Sequence, residues 1–170
     1  MKLNTLSLWT LFVLSLFGKN LHAQDEIIIK PGADGIYIYQ EVIDTDHNVN
    51  DNHTLVKSFI ALAYRSAQDV IQYDQTDQMI VKGNFRNKYT FYEERVDHTL
   101  IIDIKDNKIR ITFTNFVGQF GTSQNRYRYE QDSNPFGFPK NKALTKSSAS
   151  ILSIIDLLKT HLKSKTKEDW

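Results

Sequence analysis

The chain has 170 residues, with 21 Lys and Arg against 20 Asp and Glu, for a formal net charge of +1. That balance excludes a protein built mainly to hold nucleic acid, which carries a basic surplus, and 41% hydrophobic with 24% charged residues excludes wholesale disorder. The absence of cysteine excludes disulfides, thiolate metal sites, iron–sulfur ligation and cysteine nucleophiles together.

Residues 1–23 read as an export segment. Lys2 supplies a short positive start, Leu6 to Phe17 is an uncharged apolar run, and Leu21-His22-Ala23 sets up a cut between Ala23 and Gln24, the layout of a secretory signal peptide. A transmembrane helix needs about 20 apolar residues, and Lys19 ends the run too early. The expected product is periplasmic or secreted, has no membrane span after cleavage, and folds as one domain over residues 24–170. Loss of Lys2 and Lys19 leaves it slightly acidic.

Ile27 to Ile29 form a short extended lead-in, ended by Lys30-Pro31-Gly32. Gly35 to Ile43, rich in β-branched and aromatic residues, is the first strand. The polar stretch Asp44 to Asn52 is a loop from which Asp51 or Asn52 caps a helix. Leu55, Phe59, Leu62 and Ala63 recur at helical spacing and predict an amphipathic helix over 53–66. Val70 to Tyr73 and Met79 to Phe85 are short strands around a turn at Asp74 to Asp77, with Gly83 marking a bulge.

The hairpin from Thr99 to Phe116 specifies its own register. With Asp106-Asn107 as a two-residue turn, Ile104 faces Ile109, Ile102 faces Ile111 and Leu100 faces Phe113, all on one face. Asp103 then meets Arg110, Ile101 meets Thr112, and Thr99 meets Thr114 on the other. A slip of one residue would scatter both sets, so one face is covered and the other is wet. Residues 117–146, rich in Gly, Pro, Asn and Ser, predict a long loop, with Arg126 to Tyr129 as a strand inside it. Ser147 or Ser148 caps a last helix whose stripe is Ile151, Ile154, Ile155, Leu158 and Leu162.

With those elements in place, the chain resembles an exported Bacteroidota domain family of unknown function with a TATA-binding-protein-like (TBP-like) fold. The likeness rests on Ala23-Gln24, on the segment LVKSFIALAYRSAQDVIQYDQ from Leu55, on Met79 to Phe85, and on Lys105-Asp106-Asn107-Lys108-Ile109-Arg110, where Asn107 takes the place of the family's turn glycine. It covers roughly residues 38 to 116 and, less closely, the last helix. The resemblance implies an α+β fold: a curved antiparallel sheet with two helices on one face, in the order β-α-β-β-β-β-α. It implies no reaction, and a fold shared with a DNA-binding protein does not carry DNA binding with it.

No catalytic constellation stands out. Asp44-x-Asp46-x-Asn48 starts like a calcium loop, but Val49 and Leu55 occupy the places where such a loop needs Gly and Glu. His47, Asp51 and His53 lack the spacing of a helical metal site. Glu93 and Glu94, adjacent in a strand, point to opposite faces and read as solvated charges. No serine sits in a Gly-x-Ser-x-Gly elbow, and no glycine loop cradles a phosphate. Arg126-Tyr127-Arg128-Tyr129 puts two arginines on one face and two tyrosines on the other; the tyrosines either form an aromatic platform or cover core. The expectation is a non-catalytic binding or accessory module of the envelope, without cofactor, metal or nucleic acid, meeting an envelope protein or glycan. Its candidate binding face holds Ile101, Asp103, Arg110, Thr112, Tyr127 and Tyr129. The alternatives are a periplasmic hydrolase, whose cleft would hold His98, Glu93 or Asp97, and a structural component of envelope assembly pairing through an exposed edge strand.

Overall fold

The structure, a computed structural model, describes residues 26–64, 66–121, 125–131, 137 and 139–164. The expected export segment and its cut between Ala23 and Gln24 lie outside the described residues. The elements in chain order are β1 (Lys30–Pro31), β2 (Tyr37–Asp44), α1 (Val49–Ala63), α2 (Ala67–Val70), β3 (Ile71–Gln75), β4 (Gln78–Lys88), β5 (Glu93–Lys105), β6 (Lys108–Phe120), β7 (Arg126–Arg128) and α3 (Lys140–Ser164).

The strands form one antiparallel sheet in the order β1-β2-β6-β5-β4-β3. β2 pairs with β6 from Lys108 to Phe113, and β7 pairs with it from Val117 to Gln119. β7 therefore continues the line of β2 along the same side of β6. The β5–β6 register is the one the sequence specifies, with Ile104 opposite Ile109, Ile102 opposite Ile111, Leu100 opposite Phe113 and Asp103 opposite Arg110. In the turn, Asn107 takes φ 62°, a conformation Asn tolerates well.

Beyond Thr99 the register shifts. Thr114 still faces Thr99, but Val117 faces Asp97, so β6 carries an extra residue opposite His98. Asn115 absorbs it at φ 55°. This bulge resets the alternation of β6: Ile109, Ile111 and Phe113 point inward before it, and Phe116 and Phe120 after it.

Both long helices cover the same sheet face. α1 presents Leu55, Val56, Phe59 and Ile60, and α3 presents Ile151, Ile155, Leu158 and Leu162; these meet Met79, Val81, Ile102, Ile104, Ile109 and Ile111 of the sheet. Each such side chain, fully buried, contributes about 1.5–3 kcal/mol relative to exposure.

Several expectations are corrected. α1 starts at Val49, four residues before the expected start, and its cap is Asn48 rather than Asp51 or Asn52. Asn48 Oδ1 accepts from the Asp51 amide at 3.0 Å. Asn52 is buried inside the helix and donates to the carbonyls of His47 and Lys105 at 3.2 and 2.9 Å. α1 ends at Ala63, because Tyr64 turns extended to lay its ring on Gly83. Leu62 is 75% exposed and off the apolar stripe. The β4–β5 pairing runs through Gly83 without a bulge; the glycine is there because a Cβ would strike the Tyr64 ring. The region expected as a loop over 117–146 holds the end of β6, all of β7 and the start of α3. Ser147 and Ser148 are buried helix-interior residues, not caps. The Ser148 hydroxyl accepts from the Ile28 amide at 3.1 Å, which pins the N-terminal lead-in to α3.

Candidate functional site

Strand alternation sends every second residue of the sheet to the face opposite the helices. Around the hairpin that face holds Ile101, Asp103, Arg110 and Thr112, with Gln40 and Val42 beside them on β2 and Gln78 and Ile80 on β4. Four of the expected face residues thus come together. Their side chains are already paired. Arg110 donates to Asp103 Oδ2 from Nε at 2.9 Å, and its Nη2 lies 2.8 Å from the same oxygen. Gln78 donates to Asp103 Oδ1 at 2.7 Å, and Gln40 donates to the Thr112 hydroxyl at 2.9 Å. Partial burial works against the Asp103 charge, yet the bonds from Gln78 and Arg110 hold its carboxyl below the usual range. A shallow depression of about 260 Å³ lies against Val42, Asp103 and Arg110.

Tyr127 and Tyr129 do not join this face. Both are buried on the helix side, so an aromatic platform is excluded at these two positions and the tyrosines cover core. β7 contributes Arg126 and Arg128 to the open face instead. Across the far half of the sheet, Arg86, Arg95, Gln119 and Arg126 stand in one row over β4, β5, β6 and β7. Sequence reasoning missed this row, although period-2 alternation from Val96 and Tyr127 gives the direction of Arg95 and Arg126.

The tyrosines turn inward to a carboxylate. Glu94 is fully buried, not the solvated charge expected, while Glu93 is exposed and lies 3.0 Å from Arg86 Nη1. Glu94 Oε2 accepts from Asn87 at 3.0 Å and from the Tyr89 hydroxyl at 2.8 Å. Glu94 Oε1 accepts from the Tyr127 hydroxyl and, at 3.4 Å, from Tyr129. Ser147 of α3 bonds Asn87 at 2.9 Å and Tyr129 at 2.7 Å. Burial, and then the Glu94 charge, push the Tyr89, Tyr127 and Tyr129 hydroxyls far above their ordinary range, so all three remain protonated donors. Every carboxylate oxygen is satisfied from within the protein, the arrangement of a structural clamp. Glu94 is in phase with Val96, Leu100 and Ile102 along β5, and that phase was the available signal.

The residues of a hydrolase cleft are not brought together. His98 is buried between Phe85 and Phe113, with ring centroids at 5.1 and 5.2 Å, and its Nε2 lies 3.3 Å from the Tyr64 hydroxyl. Burial lowers its pKa to about 4 and keeps it neutral. Glu93 and Asp97 point to the other face. Ser58 Oγ lies 2.7 Å from His161 Nε2 and 2.9 Å from the Leu55 carbonyl oxygen of its own helix. His53 lies 2.6 Å from Asp74 across α1 and β3. Among the described residues no three or more His, Asp or Glu groups gather in a metal-holding arrangement, and no helix is long and apolar enough to cross a membrane.

Residues 39–119 match the family model of a "Domain of unknown function (DUF4468) with TBP-like fold". The fold is TBP-like. A crystal structure of a TBP-like protein from Parabacteroides distasonis is similar with a TM-score of 0.60 at 14% identity, over 78% of this chain and 97% of the other. A DUF4468 family protein from Bacteroides ovatus is similar with a TM-score of 0.62 at 7% identity, over 82% and 95%. These likenesses concern the TBP-like architecture alone. No curated protein matches the chain.

Proposed function

We propose that the protein is an exported, non-catalytic binding or accessory module of a Bacteroidota cell envelope, and that the open face of its TBP-like sheet holds the partner. The observation that carries this reading is the asymmetry of the two faces. One is sealed by α1 and α3, and the other displays Arg110 and Gln78 bonded to Asp103, and Gln40 bonded to Thr112, in fixed positions. Groups fixed before binding lose little freedom on contact, which favours recognition. The signal-like residues 1–23 support an envelope location, and the Bacteroides and Parabacteroides sources of the similar structures support the link to Bacteroidota.

The test is capture from envelope extract by the wild-type chain, by Arg110→Glu and by a helix-face control, Lys159→Glu. The expected outcome is a partner retained by wild type and by the control and lost with Arg110→Glu. Equal capture by all three, or loss only with the control, overturns the reading.

A further inference from the structure

The far half of the open face has a chemistry of its own. Among the described strand residues, Lys82, Arg86, Lys88, Arg95, Arg126 and Arg128 all point to it, against Glu93 and Asp97. The whole chain carries a net charge of just +1, so this concentration of cations is local. Asp97 accepts from Arg95 Nε at 2.8 Å through Oδ1 and from Arg126 Nη2 at 3.0 Å through Oδ2. One carboxylate thereby holds two guanidinium forks side by side and engages a single N–H of each; a guanidinium has five such donors. The side chains of Arg86, Arg95 and Arg126 remain 66%, 51% and 49% exposed.

The spread of these charges defines the ligand. At about 4.8 Å between strands, the row from Arg86 to Arg126 spans roughly 14 Å, and at about 3.3 Å per residue Lys82 to Lys88 spans roughly 20 Å. A single small anion cannot engage such a surface, whereas an extended chain with repeated negative groups can. The flat fork of arginine matches a carboxylate with two parallel bonds. Between the cations stand Asn84, Thr99 and Gln119, amides and a hydroxyl suited to sugar hydroxyl groups. Among the described residues, the strand positions of this half carry no aromatic ring to stack nucleic-acid bases and one apolar side chain, Val117, too little to enter a lipid surface; the exposed rings of Phe91 and Tyr92 lie beyond the strand ends, in the β4–β5 turn.

We infer that this half of the face docks an acidic polysaccharide, a chain of carboxylate-bearing sugars, with Arg95 and Arg126 as its central anchors. This inference rests on the open face being the binding surface. It is tested by calorimetric titration of the purified chain with short alginate, a polyuronate, against neutral dextran at low and at physiological salt. The expected result is binding of alginate but not dextran, weaker at higher salt. The double variant Lys82→Glu/Arg128→Glu leaves both ion pairs of Asp97 intact. It should keep the wild-type melting temperature and bind alginate about tenfold more weakly or worse, the scale of losing a charged hydrogen bond. Arg95→Lys/Arg126→Lys keeps the charge and loses the fork, and it should also weaken binding.

Absence of alginate binding, equal binding of dextran, or indifference to both double variants overturns the inference. So does tighter binding of single-stranded DNA, polyglutamate or anionic vesicles. If Arg110-dependent capture from extract persists while alginate fails to bind, the acidic-glycan assignment falls and the open-face reading stands. If Arg110-dependent capture fails as well, both fall.

Discussion

At Glu94 a fully buried carboxylate is held by an amide from β4 and by hydroxyls from the β4–β5 turn, from β7 and from Tyr129 just after it. Such a group persists only while its bonds do, since a buried charge stripped of partners is far more costly than a solvated one. Gly118 is part of the arrangement, because a Cβ there would run into both Glu94 and the Tyr127 ring. We predict that Gly118→Ala destabilises the fold by about 1–3 kcal/mol, the usual cost of overpacking, measured by denaturant unfolding; a stability within error of wild type would refute the clamp. His98 supports a prediction about pH. Its folded pKa of about 4 lies below the ordinary value near 6.5, so the unfolded chain binds the extra proton first. Stability is then unaffected above the unfolded pKa and falls as pH drops from about 6.5 toward 4, by on the order of 3 kcal/mol in total. His98→Gln should remove the loss within that window while acid unfolding at lower pH remains; urea midpoints across the pH range would check it. The inward position of Glu94 and His98 was legible, because both keep the phase of Val96 and Leu100. Their partners were not, since Tyr127 and Tyr129 reach Glu94, and Tyr64 reaches His98, only through tertiary packing.

At the level of elements, the β5–β6 pairing was readable because a shifted register would expose isoleucines and bury Arg110 and Asp103 together. The Asn115 bulge was not, since nothing in the local sequence requires an extra residue at that point. α1 was misplaced at its start for a related reason. Its first amide, that of Val49, donates to Asp106 Oδ1 at 2.7 Å, and Asp106 sits in the β5–β6 turn. The helix is capped by a group from a distant part of the chain as well as by Asn48, and an extra cap extends it past the start that local spacing suggests. Asp106→Ala should destabilise the protein by about 1 kcal/mol, within the range for lost N-terminal caps, with less amide exchange protection at Val49 and Asn50 than in wild type. Unchanged protection there would show that Asn48 suffices alone. β4 is also distinctive as an element. From Lys82 to Lys88 it pairs only with β5 among the described residues, and Lys82, Arg86 and Lys88 place on that edge the charges that discourage strand-to-strand association.

Over the whole molecule, two layers divide the work: the helices close one side and give the sheet a fixed shape, and the other side carries polar groups whose positions the strand ladder dictates. Hydrophobic period alone marked the apolar stripes of the helices and the open face of the hairpin, while the placing of both helices on one face of the sheet was what the family resemblance implied. The row of three arginines and Gln119 across four strands was less accessible, because it depends on the placement of β7, a three-residue strand inside a stretch whose composition suggested a loop.

The contact between Asp106 and Val49 has a further consequence, for the route by which the chain folds. A fifteen-residue helix is marginal in isolation, and α1 receives part of its starting signal from the tip of a ribbon more than fifty positions downstream. The ribbon, in turn, gains a buried lid only once that helix has formed. Neither half can mature far ahead of the other, so the rate-limiting ensemble should contain both, and substitutions in the helix and in the ribbon tip should slow refolding together.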